Sequence, residues 1–244
     1  MVWETGRRYV RRKCSWALGL SLVYAMRLDS IQVGQTRTYG TPGSALPLEQ
    51  PWTSAIRKEP VDGQMWAGRE GLSGDHQYDR RHHGGPERAL LMYSADHYPR
   101  WRSEWGRKDV GPGAFGENLT VGGLTEDSAC IGDVYRIGDV RIEVSSPRTP
   151  CINLARRHGL PDLVKTIVVN HRSGWYLRVL QEGWLEAGMR LQLVDRPYPQ
   201  WTIRRAATVK RLRNDLREDA RLLAACGPLQ SEWREALARS GSNG

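Results

Sequence analysis

Apolar and polar residues alternate over short stretches along most of the chain, and a period of two predicts strands rather than helices. Val134-Tyr135-Arg136-Ile137 and Val140-Arg141-Ile142-Glu143-Val144 flank Gly138-Asp139, a two-residue turn whose glycine accepts positive φ, so the segment reads as a hairpin. Met189, Leu191 and Leu193 alternate with Arg190, Gln192 and Val194, and Ile31 and Val33 mark another strand near the start. Trp175, Leu177 and Val179 share one strand face, with Tyr176 and Arg178 on the other. Helical spacing is confined to a segment after Pro86, to Pro161–Val169, and to the tail from Trp201. In that tail Ile203, Ala206, Ala207, Val209 and Leu212, then Leu216, Leu222 and Leu223, then Leu229, Trp233 and Leu237 outline three amphipathic helices, the last two parted by Gly227-Pro228.

Short strands joined by glycine- and proline-rich turns predict a mostly β, α+β fold: a closed or nearly closed barrel with a few peripheral helices. The expected division is an N-terminal extension at 1–25, a barrel domain at 26–197, and a small three-helix unit at 198–244 reached through Pro197-Tyr198-Pro199. The tail is too short for a self-sufficient core and is expected to dock on the barrel.

Composition narrows the function classes. With 244 residues, 39% apolar and 26% charged, the chain can bury a substantial core without metal or disulfide support. The longest apolar stretch, Trp16 to Met26, is 11 residues, too short for a membrane-spanning helix. Residues 1–25 join a basic run to an apolar run as an export signal does, but no A-x-A-like cleavage site follows. The expectation is that translation begins at Met26 and that the protein is cytoplasmic. Four scattered cysteines suggest neither an oxidising compartment nor, without C-x-x-C spacing, structural zinc or an iron–sulfur cluster. The net charge of +9 is carried by the two ends: residues 26–200 hold 22 basic and 21 acidic side chains. That distribution argues against specific nucleic-acid binding.

Cys151 stands out chemically. It ends Ser145-Ser146-Pro147-Arg148-Thr149-Pro150-Cys151, where two prolines stiffen the backbone and a guanidinium three residues away favours the thiolate, which is both a nucleophile and a soft metal ligand. A second cluster is Gly71-Leu72-Ser73-Gly74-Asp75-His76-Gln77 with His82-His83-Gly84-Gly85-Pro86-Glu87-Arg88. There a glycine pair allows close approach of a ligand, Pro86 suits the first residue of a helix facing an anion, and Arg88 can contact phosphate. A third, Gly113-Ala114-Phe115-Gly116-Glu117-Asn118, sets a carboxylate and an amide before a strand, Glu117 serving either as proton donor or as turn residue. Arg178 is an anion contact if its strand face lines a pocket, and solvated surface otherwise.

These blocks, GLSGDHQYDRRHHGGPERAL at 71–90, FGENLT at 115–120, IGDVYRIGDVRIEVSSPRTPC at 131–151 and GWYLRVL at 174–180, resemble the MOSC family (molybdenum cofactor sulfurase C-terminal) in its YiiM-like branch with a three-helix C-terminal appendage. The resemblance covers about residues 26–240. It implies a β-barrel binding the molybdenum cofactor (molybdopterin), with Cys151 as the molybdenum ligand and His83, Gly84 and Gly85 in the loop beside it. Arg88, Asn118, Arg148 and Arg178 then become cofactor contacts, and Glu117 or His83 the proton source. The implied activity is reduction of N-hydroxylated small molecules, such as hydroxylaminopurines, to amines. With no ferredoxin domain fused, electrons must come from a separate flavoprotein or ferredoxin-type donor. The competing readings are a carrier of sulfur or of the molybdenum cofactor using a Cys151 persulfide, a cysteine hydrolase pairing Cys151 with His83, and a nucleic-acid binder acting through the basic tail.

Overall fold

The computed structural model describes residues 26–78 and 84–239. The N-terminal extension, with Cys14, and His82 and His83 lie outside the described residues. Among the described residues there are thirteen strands: β1 (Arg27–Gly34), β2 (Arg37–Tyr39), β3 (Trp52–Ser54), β4 (Lys58–Pro60), β5 (Met65–Gly68), β6 (Gly71–Leu72), β7 (Leu90–Ser94), β8 (Leu119–Gly122), β9 (Val134–Ile137), β10 (Val140–Pro147), β11 (Trp175–Gln181), β12 (Gly183–Leu185) and β13 (Gln192–Asp195). The helices are α1 (Tyr98–Trp105), α2 (Ile152–His158), α3 (Leu163–Asn170), α4 (Ile203–Arg211), α5 (Arg217–Ala224) and α6 (Ser231–Ala238).

Eight strands form one sheet in the order β13-β9-β10-β11-β7-β8-β1-β4, parallel only between β7 and β8. The class is α+β, as the patterning predicts, but the barrel is not closed, because β13 and β4 end the order unpaired with each other. Two features limit closure. Strand β4 is three residues long and ends on Pro60, which has no N–H to extend a ladder. The start of β1 reaches only the stretch before β13, through Leu28 N–H to the Met189 carbonyl (2.9 Å) and Leu191 N–H to that of Met26 (2.9 Å). The expected strand over 189–194 accordingly begins only at Gln192.

Alternation places the predicted face of β11 inside: Trp175, Leu177 and Val179 are buried in one cluster with Ile142 and Val144 of β10 and Tyr135 and Ile137 of β9. Ile203, Ala206 and Val209 of α4, Leu223 of α5, and Trp233 and Leu237 of α6 belong to that same cluster, so the tail and the sheet share one core. Leu222, expected on the apolar face of α5, is exposed. A second cluster packs Tyr93, Trp101 and Phe115 against Leu154 of α2 and Ile167 of α3.

The segment after Pro86 is not the helix its proline suggests. Pro86–Arg88 makes a single 3-10 turn, and the chain is extended again by Leu90, because all five residues of β7 are buried between neighbours on both sides. Such a turn supplies no helix N-terminus for an anion.

Candidate functional site

Strand β10 delivers the central residue. It ends at Pro147, which pairs with Trp175 of β11, and the Arg148 N–H extends the ladder to the Gly174 carbonyl at 3.0 Å. Cys151 is itself extended (φ −114°, ψ 167°) and leads directly into α2. Cys151 is half-buried in the wall of a cavity of about 190 Å³, with Arg148, Arg88, Lys58, Asn118 and Tyr176 around it. Cys130 and Cys226 are buried elsewhere, their thiols pushed up by desolvation, which leaves them inert beside Cys151.

The opposite wall is a hydrogen-bonded network. Asp75 accepts from the Gly34 N–H (2.8 Å), the Lys58 ammonium and the Asn118 amide (2.8 Å), and Asn118 Oδ1 accepts from the Leu91 N–H at 3.1 Å. Lys58 is 7% exposed, and burial lowers its pKa despite the Asp75 carboxylate. The loop carrying Asn118 crosses Lys58 and Ile56 at close range. Gly113 and Gly116 adopt φ of 85° and 75°, and a Cβ on Gly113 would lie 2.3 Å from the Lys58 carbonyl oxygen.

Positive charge dominates the cavity. Arg148 is 7% exposed, and its Nη1 is buried without a hydrogen-bond partner in the described structure. A buried guanidinium donor left unsatisfied is costly, and an oxyanion in the cavity would relieve it. Arg88 pairs with Glu232 of α6 and lies over the Tyr176 ring, 5.8 Å from its centroid. Burial raises the Tyr176 phenol pKa, the nearby Arg148 and Arg88 guanidinium groups opposing it, so it stays protonated. Among the described residues no three His, Cys, Asp or Glu converge. Any metal ligated by Cys151 would therefore find no ready-made cluster of further His, Cys, Asp or Glu ligands among the described residues.

Of the residues singled out from the sequence, the cavity gathers Cys151, Arg148, Arg88 and Asn118. Glu117 is not in its wall. Fully buried, Glu117 accepts from the Gly113 N–H (2.6 Å), the Phe115 N–H (2.9 Å) and the Tyr98 hydroxyl, and so pins its own turn instead of facing a substrate. Arg178 is likewise engaged elsewhere, donating to Glu143, to Glu87 (2.9 Å) and to the Pro228 carbonyl (2.7 Å). Tyr176, one alternation earlier on the same face, lines the cavity in its place. Gly84 and Gly85 precede the 3-10 turn outside the cavity wall, and Gly85 uses φ 85° to enter it. Lys58, Asp75 and Tyr176 are wall residues that sequence reasoning did not assign. Asp75 lies within a glycine-flanked block that carried a signal, whereas Lys58 is one of five lysines with nothing local to mark it.

The mixed sheet and the sequence that builds it are shared with known proteins. The MOSC domain model matches residues 79–192. Protein YiiM of Escherichia coli is 36% identical over 187 residues, covering 75% of this chain and 83% of that one. The crystal structure of YiiM from Geobacillus stearothermophilus superposes with a TM-score of 0.74 at 34% identity, covering 89% of this chain and all of that one. A protein of Gibberella moniliformis named reductase is 41% identical over 182 residues, which is 72% of this chain but 31% of that protein. The chain belongs to the MOSC domain family, whose members are associated with the molybdenum cofactor. Among the described residues no helix is long and apolar enough to cross a membrane.

Proposed function

We propose that this chain binds the molybdenum cofactor in the Cys151 cavity and, in the cytoplasm, reduces N-hydroxylated compounds such as hydroxylaminopurines to amines. The observation that carries the reading is the pairing of a half-buried thiol with the unpartnered Nη1 of Arg148 in one cavity that Lys58 and Arg88 also line. That donor set suits a phosphate-bearing, anionic metal complex: a soft sulfur ligand for the metal and hydrogen-bond donors for oxyanions. When bound, the cofactor supplies two-electron redox chemistry at its metal.

The residues of the chain do the remaining work. Overall, R–NHOH, two electrons and two protons give R–NH2 and water, so the N–O bond breaks and the oxygen leaves as water. The electrons come from a separate flavoprotein or ferredoxin-type donor. Lys58 holds a proton at Nζ on the cavity wall, and desolvation favours giving it up, so Lys58 can take the donor role expected of Glu117 or His83. Asp75, itself held by the Asn118 amide, fixes the Lys58 chain, while Arg148 holds the anion in place.

Protein made in a host competent to synthesise the cofactor is expected to contain molybdenum and to reduce N-hydroxylaminopurine with an artificial electron donor. Because the loss of a supporting residue already costs roughly 10–100-fold at metal sites, removal of the ligand itself in Cys151→Ala should abolish turnover. Full activity in that variant would defeat the proposal. A sulfur adduct on Cys151 by mass spectrometry, without turnover from any donor, would instead establish the carrier reading.

A further inference from the structure

A second cavity, of about 260 Å³, lies across Arg148 from the first, between α3 and α4. Arg148 lines both. The second cavity is also lined by Lys210, Arg211, Arg213 and His171, with Val168 and Trp233 among its apolar walls, and no Asp or Glu is among its described lining residues. The Lys210 ammonium sits 3.8 Å from the Trp233 ring centroid, a cation–π contact that fixes its place in the groove. The carboxylate acting on Lys210 is Glu232, which already accepts from Arg88. Desolvation pushes the Lys210 pKa down to about 8, with Arg88 and Arg213 adding repulsion. Cations gathered around a concave, partly apolar surface repel one another and focus a positive potential into it, and an anion seated there relieves both effects.

We infer that this groove is a second ligand site, distinct from the Cys151 cavity, for a small molecule bearing a phosphate or sulfate group, held by Lys210, Arg211 and Arg213. Its oxygens meet ammonium and guanidinium donors, while the remainder of the molecule lies against Val168. The inference stands on the groove itself and not on the reductase reading.

Sulfate is a suitable probe because it does not titrate near neutral pH. Calorimetric titration of the full chain at constant ionic strength is expected to show saturable sulfate binding. In Arg211→Ser/Arg213→Ser the affinity should fall at least about tenfold, equivalent to about 1.4 kcal/mol. The surface control Arg221→Ser/Arg239→Ser should retain the wild-type value. Equal weakening in that control would show nonspecific screening and overturn the inference, as would unchanged affinity in the groove variant. Loss of the sulfate site in molybdenum-loaded protein would assign the groove to the cofactor and also overturn it.

Discussion

Two buried carboxylates near the cavity do opposite jobs, and the difference lies in where their oxygens go. Asp75 spends its lone pairs on Lys58 and Asn118, both of which face the cavity, whereas Glu117 spends its own on the amides of residues 113 and 115 and on Tyr98. Glu117 thus pins its own turn: Glu117→Gln replaces one of the two acceptor oxygens with an NH2, leaving a buried N–H facing a donor, and is expected to lower stability by about 2–4 kcal/mol in urea denaturation. Molybdenum content of the folded fraction should be unchanged, and a variant of native stability lacking molybdenum would return Glu117 to the site. The sequence left Glu117 open between proton donor and turn residue for a physical reason, since a carboxylate between glycine and a strand looks alike whether its partner is a substrate or its own turn. Cys151 and Arg148 stood out because Pro147 and Pro150 restrict the local backbone, a property written in the sequence itself. Arg178 and Tyr176 were correctly placed on one strand face, yet only the course of Glu87 and Glu143 decides which of the two reaches the cavity.

At the scale of elements, the position of Cys151 depends on how α2 is anchored. His158, its last residue, donates from Nε2 to the Ala114 carbonyl at 2.8 Å, and desolvation lowers its pKa from 6.5 to about 4. The folded protein therefore keeps His158 neutral, while the unfolded chain takes up a proton below pH 6.5. Stability is retained above pH 6.5, falls as pH drops toward 4, and loses no more from this group below that, by up to about 3 kcal/mol in total. Urea midpoints at pH 7 and pH 5 should differ less in His158→Gln than in wild type, and an equal difference would refute this role. The hairpin of β9 and β10 and the helices of the tail were legible because their periodicity is local. Strand β7 was not, since Leu90-Leu91-Met92-Tyr93-Ser94 is apolar without a period and only burial on both faces makes it a strand.

For the molecule as a whole, the tail is a wall of the core and not an attachment to it. Ile203, Leu223 and Trp233 pack in the cluster that holds Val144 and Trp175, and the Gln230 N–H bonds the Ser145 carbonyl at 2.9 Å. Through Glu232, α6 also holds Arg88 at the edge of the cavity. Sequence patterning foresaw three helices and their docking but not this continuity, because which apolar faces meet is decided by strand order. The same holds for barrel closure: alternation marks each strand, yet the unpaired ends at β13 and β4 follow from chain lengths and from Pro60.

The central claim is that one sulfur, that of Cys151, joins this protein to a molybdenum centre. X-ray absorption at the molybdenum edge, on protein from a cofactor-competent host, measures that bond directly. Wild-type protein is expected to show the metal with one more sulfur neighbour than Cys151→Ser. Identical sulfur shells in the two proteins, or wild type devoid of molybdenum, would contradict it.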